Sequence, residues 1–278
     1  MTQKKMFITD LDGTLFRPDQ TLSDKDRKSL LQLKDEGIIR VAATGRSVFS
    51  LERSLREPLP VDYLIFSTGA GIARYPDPFQ NIIMEKSLPE SDTEYAAAFL
   101  DTLDIDYMIQ NTIPDNHIFS YRFNTNNNND FLTRISYYKK YCTALDGNLR
   151  MPSSQLLVIV PDNKADAILK TIKNKLRNFS IIRATSPFDG KTVWIEILPQ
   201  NTSKSIAAAW LTETLGITKK NTVAIGNDYN DEDLLSWAQK GYVVENAPAE
   251  LKSRFKTVAS NKNSGVSEAI KNAFETIF

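Results

Sequence analysis

The sequence predicts an α/β fold, a doubly wound parallel sheet interrupted by a smaller inserted α+β domain, and three observations carry that prediction. Near both ends of the chain, short apolar runs that stop in polar or glycine-containing turns alternate with amphipathic stretches. Between about residues 81 and 199 the alternation gives way to short strand-like runs in hairpin-like pairs. The chain has 278 residues, enough for two domains, and its 41% hydrophobic and 24% charged content is that of a folded globular protein.

The elements follow in order. Met6 to Thr9 reads as a buried strand ending in the turn-forming stretch Asp10-Leu11-Asp12-Gly13-Thr14. A helix comes next, with Ser23 and Asp26 placed as a capping box, Leu30, Leu31 and Leu33 as its apolar face and Gly37 as its stop. A strand from Ile38 to Ala43 runs into Thr44-Gly45-Arg46. After a short helical segment, Tyr63 to Phe66 runs into the Ser67 to Gly71 turn. Strand, helix, strand, helix, strand implies parallel neighbours joined by right-handed crossovers.

In the inserted region Ser91 and Glu94 predict a capped helix containing Ala96, Ala97, Phe99 and Leu103. Strands are expected near Tyr107 to Gln110 and Ile118 to Phe123. The Asn-rich tract Asn124 to Asn129 reads as an exposed loop, because Asn side chains bond readily to turn backbone. A helix near Phe131 to Tyr141, a strand Gln155 to Val160, a helix Lys164 to Leu176 and a pair of strands, Ile181 to Thr185 and Val193 to Leu198, complete the region. From about residue 200 the parallel rhythm returns. Ser203 opens a helix with Ile206, Trp210, Leu211 and Leu215 as its apolar face and Gly216 as its end, and Thr222 to Ile225 reads as a strand ending in Gly226 to Asp231. A helix with Leu234, Leu235 and Trp237 and strands at Tyr242 to Val244 and Thr257 to Ala259 follow. The expected domains are therefore 1–80 with 200–278, and 81–199.

Composition narrows the chemistry. Lys plus Arg, 34, equals Asp plus Glu, 34, so no excess positive charge draws the chain to nucleic acid or to an anionic membrane. One cysteine, Cys142, cannot form an internal disulfide, and the N-terminal apolar run is too short for a signal peptide or a span; a cytoplasmic protein is expected. A single histidine, His117, removes mechanisms that need a histidine pair, which leaves carboxylates to carry any hydrolysis. In a parallel sheet ligands gather at the carboxyl ends of strands. Those ends carry Asp10 and Asp12, Thr44, the Ser67 to Gly71 turn, and Asn227 to Asp231, with Lys204 near the start of a helix. Several carboxylates, a hydroxyl and an ammonium suit a hard divalent cation together with a phosphoryl group.

In that order, Asp10-Leu11-Asp12-Gly13-Thr14-Leu15, Thr44-Gly45-Arg46, Lys204 and Gly226-Asn227-Asp228-Tyr229-Asn230-Asp231 closely resemble the four motifs of the haloacid dehalogenase-like phosphatases. The spacing resembles the Cof-type or IIB branch, in which an α+β cap is inserted into a Rossmann-like core between the second and third motifs. The resemblance implies a Mg2+-dependent phosphatase acting on small phosphate esters, most often sugar phosphates. It makes Asp10 the nucleophile that becomes an aspartyl-phosphate and Asp12 the general acid and then base. It gives Thr44, Gly45 and Lys204 the phosphoryl oxygens, and leaves Arg46 to contact substrate or the cap interface. It implies a Mg2+ held by Asp10, the Asp12 carbonyl and one or more of Asn227, Asp228 and Asp231, with Asn230 orienting the neighbouring carboxylates. Where the family pattern has Asp, a direct ligand, this chain has Asn227, an amide without charge. Asp189, Lys191, Tyr121 and Arg122 are candidate leaving-group contacts in the cap. Two alternatives stay open: a phosphomutase or phosphotransferase of the same superfamily, and a non-catalytic phosphate-binding module. The sequence says nothing of oligomeric state or of the physiological substrate.

Overall fold

The computed structural model describes residues 4–125, 127–147 and 150–274. The chain forms two compact units, one made of residues up to 84 and from 203 onward, the other of residues 85–202. In chain order the first unit opens with β1 (Met6–Asp10), α1 (Asp24–Asp35), β2 (Ile39–Ala43), α2 (Val48–Ser54), β3 (Tyr63–Phe66), β4 (Gly71–Arg74) and β5 (Ile82–Glu85). The second unit contains α3 (Glu90–Asp101), β6 (Tyr107–Gln110), β7 (Phe119–Arg122), α4 (Asn129–Tyr137), β8 (Cys142–Ala144), β9 (Gln155–Val160), α5 (Asp162–Lys175), β10 (Phe179–Thr185) and β11 (Val193–Pro199). The first unit resumes with α6 (Lys204–Leu215), β12 (Thr222–Gly226), α7 (Glu232–Trp237), β13 (Lys240–Val244), α8 (Ala249–Lys252), β14 (Lys256–Val258) and α9 (Gly265–Ala273).

The sheet of the first unit runs β14-β13-β12-β1-β2-β3-β4-β5. Its centre is β1, every residue of which is buried, as a strand covered by helices on both faces requires. Both neighbours of β1 are parallel to it, and the registers Asp10↔Ala43 and Thr9↔Ile225 end β1, β2 and β12 at one level. The helix after β1 forms because Ser23 caps it: its Oγ accepts the Asp26 N–H at 3.0 Å and bonds the Asp26 carboxylate at 2.7 Å. One edge departs from expectation. After β3 the chain turns within Ser67–Gly69 and returns antiparallel as β4, since so short a connection cannot make the crossover a parallel neighbour needs.

The helix α6 also differs from its expected face. Ile206 and Trp210 are exposed, and the buried residues are Lys204, Ala207, Ala208, Leu211 and Thr212. The reason is the helical period. A stripe containing Lys204 continues through positions three, four and seven residues on, and the two alanines on it let the helix approach the sheet closely.

In the second unit the sheet order is β10-β11-β9-β6-β7-β8. Tyr107, Ile109, Leu156, Val158, Ile195 and Ile197 are buried in one cluster with Ala96 and Leu100 of α3 and Ala165 and Ile172 of α5. The pattern of alternate strand residues facing two helices is that of an α+β layer. α4 begins at Asn129 rather than near Phe131 because Asn128 caps it, its Oδ1 accepting the Phe131 N–H at 3.3 Å. The short strand β8, paired parallel to β7, had no sequence signal. The Asn-rich tract is more than an exposed loop: the N–H groups of Asn124 and Thr125, the Thr125 hydroxyl and the Asn128 amide all donate to buried Asp106. Asn126, within the tract, lies outside the described residues.

Candidate active site

Three strand ends and one helix start build a polar cluster in the first unit. Asp10 is the last residue of β1, Thr44 follows β2, Asn227 follows β12, and Lys204 is the first residue of α6. Lys204 is wholly buried and lies between two carboxylates, its Nζ donating to Asp10 Oδ1 at 2.8 Å and to Asp231 Oδ1 at 2.5 Å. Burial alone would lower this lysine, but the two carboxylates outweigh it and hold its ammonium well above the ordinary lysine range. One ammonium faces two buried carboxylates. Burial, followed by repulsion from Asp231, pushes the Asp10 carboxyl up to about 8.

Asp231 is fully committed within the loop it ends. Its Oδ1 takes Lys204, and its Oδ2 accepts the N–H groups of Asn227 at 2.9 Å and Asp228 at 3.1 Å. Asp228 returns the favour by capping the turn at Tyr229–Asp231, its side chain accepting the Asp231 N–H. Asn230 sits half-buried in that turn. Asn227 turns its amide oxygen to Thr14, whose hydroxyl donates at 2.9 Å. Gly13, with φ 78°, passes so close to Asn227 that a Cβ there would lie 2.5 Å from its Nδ2, which explains glycine at this point of the loop.

The Asp12 carboxylate is not turned to Lys204. Arg46 forks onto it, Nε to Oδ2 at 2.7 Å and Nη2 to Oδ1 at 2.5 Å, and the guanidinium is held in turn by Ser54 Oγ at 2.6 Å and Gln20 Oε1 at 2.5 Å. No local pattern in the sequence announces this clamp. Thr44 is buried, and its Oγ accepts the Arg46 N–H at 3.1 Å, which keeps its own O–H available as a donor; Gly45 between them is half-buried.

The donor set bears on a metal. Among the described residues no group of three or more His, Cys, Asp or Glu side chains is arranged to hold an ion. The residues at and after those strand ends offer oxygens of mixed kind: the Asp10 carboxylate, the Asp12 carbonyl, the Asn227 amide and the Asp228 carboxylate. All are hard donors, and two of the four are carboxylates. Such a set fits a small dication with water completing its shell.

The candidates in the second unit are differently engaged. Asp189 accepts the N–H groups of Lys191 and Thr192, each at 2.8 Å, and the Thr192 hydroxyl, so it builds its own turn. Arg122 pairs with Asp101 at 3.3 Å, and Tyr121 packs edge-on to Phe131. His117 packs edge-on to Tyr141. Sequence reasoning missed a cavity of about 770 Å3 in this unit, between the starts of α4 and α5, into which Asp104, Asn127, Lys164 and Thr171 look. Its lining is drawn from four separate stretches of the chain, so no single motif announces it.

A model of the haloacid dehalogenase-like hydrolases matches residues 7–270. An HMP-PP phosphatase of Cronobacter sakazakii is 26% identical over 243 residues, covering 87% of this chain and 84% of its own. A 5-amino-6-(5-phospho-D-ribitylamino)uracil phosphatase of Bacillus subtilis is 25% identical over 270 residues, covering 96% and 95%. The solved sugar phosphatase BT4131, of subclass IIB, shares the fold with a TM-score of 0.73 at 16% identity, covering 99% of this chain and 100% of the other. No helix among the described residues is long and apolar enough to cross a membrane. Matched across almost its whole length and related to named phosphatases on both sides, the chain is an enzyme of the haloacid dehalogenase-like hydrolase family.

Proposed function

We propose that this enzyme releases inorganic phosphate from small phosphorylated metabolites, sugar phosphates foremost, through a transient aspartyl-phosphate on Asp10, with Mg2+ as its cofactor. The observation that carries the reading is the buried trio Asp10–Lys204–Asp231 at the carboxyl ends of a parallel sheet. A carboxylate buried beside a lysine and a second carboxylate, at the end of a central parallel strand, is well placed to act as a nucleophile.

Asp10 attacks phosphorus, and Lys204 holds its carboxylate in the attacking orientation while offsetting repulsion from the substrate dianion. The Thr44 hydroxyl and the Gly45 N–H donate to phosphoryl oxygens. Asp12 gives its proton to the departing alkoxide, then takes one from the water that attacks the aspartyl-phosphate, so that phosphate leaves and Asp10 is restored. The Arg46 fork fixes where the Asp12 carboxylate stands between those two tasks. Asp10, the Asp12 carbonyl, Asn227 and Asp228 would hold Mg2+, with Asp231 acting through Lys204 and the 227–228 backbone and Asn230 steadying the turn. When bound, the ion supplies charge neutralisation and a template for the phosphoryl oxygens.

We assign choice of the leaving group to the inserted unit as a cap. The relatives named above act on phosphorylated compounds of low molecular weight, in keeping with a small-molecule substrate and with a chain of zero net charge. Such esters are charged and do not cross bilayers, so we place the enzyme in the cytoplasm with them.

The test is turnover of p-nitrophenyl phosphate with and without Mg2+, by the native chain and by Asp10→Asn. Phosphate release that needs both the metal and Asp10 is expected. Equal turnover by the variant removes Asp10 from the mechanism, and transfer to an added sugar in preference to water points to a phosphotransferase instead.

A further inference from the structure

The turn Ser67–Gly69, which links β3 to β4, is built at a conformational cost that linking two strands does not require. Ser67, Thr68 and Gly69 have φ of 49°, 53° and 97°, three successive residues in the left-handed region, two of them bearing side chains. β-branched Thr is among the least suited residues for that conformation. All three are buried.

The turn stands against two of the phosphoryl-binding candidates, Thr44 and Lys204. Thr68 N–H donates to the Thr44 carbonyl at 3.0 Å, and Ser67 N–H to the Arg46 carbonyl at 2.9 Å. On its other side Gly69 passes the start of α6 so closely that a Cβ would lie 2.2 Å from the Ser203 carbonyl oxygen and 3.1 Å from the Lys204 nitrogen. A backbone brace between Thr44 and Lys204 would be served by Gly or Asn at position 68. What Thr adds is a hydroxyl, and that hydroxyl is buried and, among the described residues, has no hydrogen-bond partner. A buried hydroxyl left unbonded is costly, and in a native protein it calls for a reason.

We propose that Thr68 is a further phosphoryl-binding residue, its Oγ–H donating to an oxygen of the phosphate group held between Thr44 and Lys204. This rests on the phosphatase reading above. It adds a second hydroxyl, from a different strand end, to the one Thr44 supplies.

The experiment compares Thr68→Val, Thr68→Gly and Thr68→Ser with the native enzyme. Two quantities are read: competitive inhibition of p-nitrophenyl phosphate turnover by inorganic phosphate, and the rise in melting temperature that phosphate and Mg2+ produce. Val keeps the shape and the backbone demand without the hydroxyl, Gly removes both demand and hydroxyl, and Ser keeps the hydroxyl. Val and Gly are expected to weaken phosphate binding about tenfold or more, the worth of a hydrogen bond to a charged group, while Ser stays within about threefold. Gly is also expected to melt higher than the native chain as it weakens phosphate, a combination a purely structural role does not produce. Should Val fail to fold, Gly and Ser decide alone. Hydroxyl-free variants that bind phosphate within about threefold of native, or a Ser variant as weak as Gly, overturn the proposal. If the native enzyme shows no Asp10-dependent turnover, the phosphatase reading has failed, and the melting shift still reports on Thr68 by itself.

Discussion

Asp10 and Asp106 are both buried aspartates at strand ends, one in each unit, and they are treated in opposite ways. Asp106 precedes β6 and is surrounded by neutral donors: two backbone N–H groups, a hydroxyl and a side-chain amide, at 2.5 to 3.0 Å. Asp10 ends β1 beside a second buried carboxylate and an ammonium the two share, and its carboxyl is pushed up to about 8 by burial and by Asp231. The contrast is not one of domain. Asp26, in the same unit as Asp10, repeats the neutral solution, bonded by the Ser267 N–H at 2.8 Å, the Ser267 hydroxyl at 2.7 Å and the Ser23 hydroxyl at 2.7 Å. Burial is answered by neutral donors at Asp106 and Asp26, whereas at Asp10 it is the largest cause of the raised carboxyl and is joined by a like-charged neighbour, which adds a demand for positive charge that a substrate complex can meet.

Removing the two carboxylates should separate chemistry from fold. Asp10→Asn is expected to lower phosphate release by about 10^3-fold or more, since the proposed nucleophile is gone. It should not lower the melting temperature measured without metal, because it also removes the repulsion with Asp231. A loss of stability with turnover retained would reverse the comparison. Lys204→Met is expected to reduce turnover by about 10^2-fold and, by leaving Asp10 and Asp231 face to face in the interior, to cost about 3 kcal/mol. Denaturant unfolding of the double variant sharpens the point: with Asp10→Asn added, the penalty should shrink, as coupled charges require.

Asp106→Ala is the converse. Stranding four donors should cost about 2 to 4 kcal/mol by the same unfolding measurement. Turnover per folded molecule should stay within about threefold, since no candidate reacting group is among its partners. Arg46→Lys has a smaller and more selective effect. A lysine cannot reproduce the fork on Asp12, so kcat is expected to fall about tenfold with little change in KM. A rise in KM alone would mean that Arg46 serves substrate rather than Asp12.

These contrasts also show what the sequence could and could not convey. Asp10, Thr44 and the 227–231 loop stand where apolar runs stop, and the parallel registers bring such stops to one level, so their meeting was legible. Lys204 was legible only from its order among the motifs, because nothing in a helix start distinguishes a buried lysine from a solvated one. Asp106 was not legible at all. Its partners lie 18 to 22 residues away and are Asn and Thr, which look like loop composition until their donors are seen to converge. The Arg46 fork joins residues 34 apart and depends on how two loops face each other, which no local pattern encodes. The apolar face assigned to α6 held at Leu211 and Leu215 and failed at Ile206 and Trp210 for a related reason: hydrophobicity pointed to those two, whereas the buried stripe runs through Lys204, Ala207, Ala208 and Leu211.

The position that departs from the family pattern offers the finest test of the same idea. Asn227 lies between a neutral and a charged solution: its amide oxygen already accepts from Thr14, and its neighbours Asp228 and Asp231 carry the loop's negative charge. Asn227→Asp keeps an oxygen for Thr14 and adds charge beside Asp10, which should deepen the demand for a cation. Without metal the variant is expected to melt a few degrees lower, about 1 kcal/mol of added repulsion. With Mg2+ that loss should be recovered, and the metal concentration giving half-maximal stabilisation should fall by about three- to tenfold, as an added anionic ligand implies. Both readouts are melting temperatures and need no turnover. If the metal-free penalty appears without the Mg2+ recovery, the side chain at 227 does not face the ion, and the charge balance around Asp10 is met through Asp228 instead.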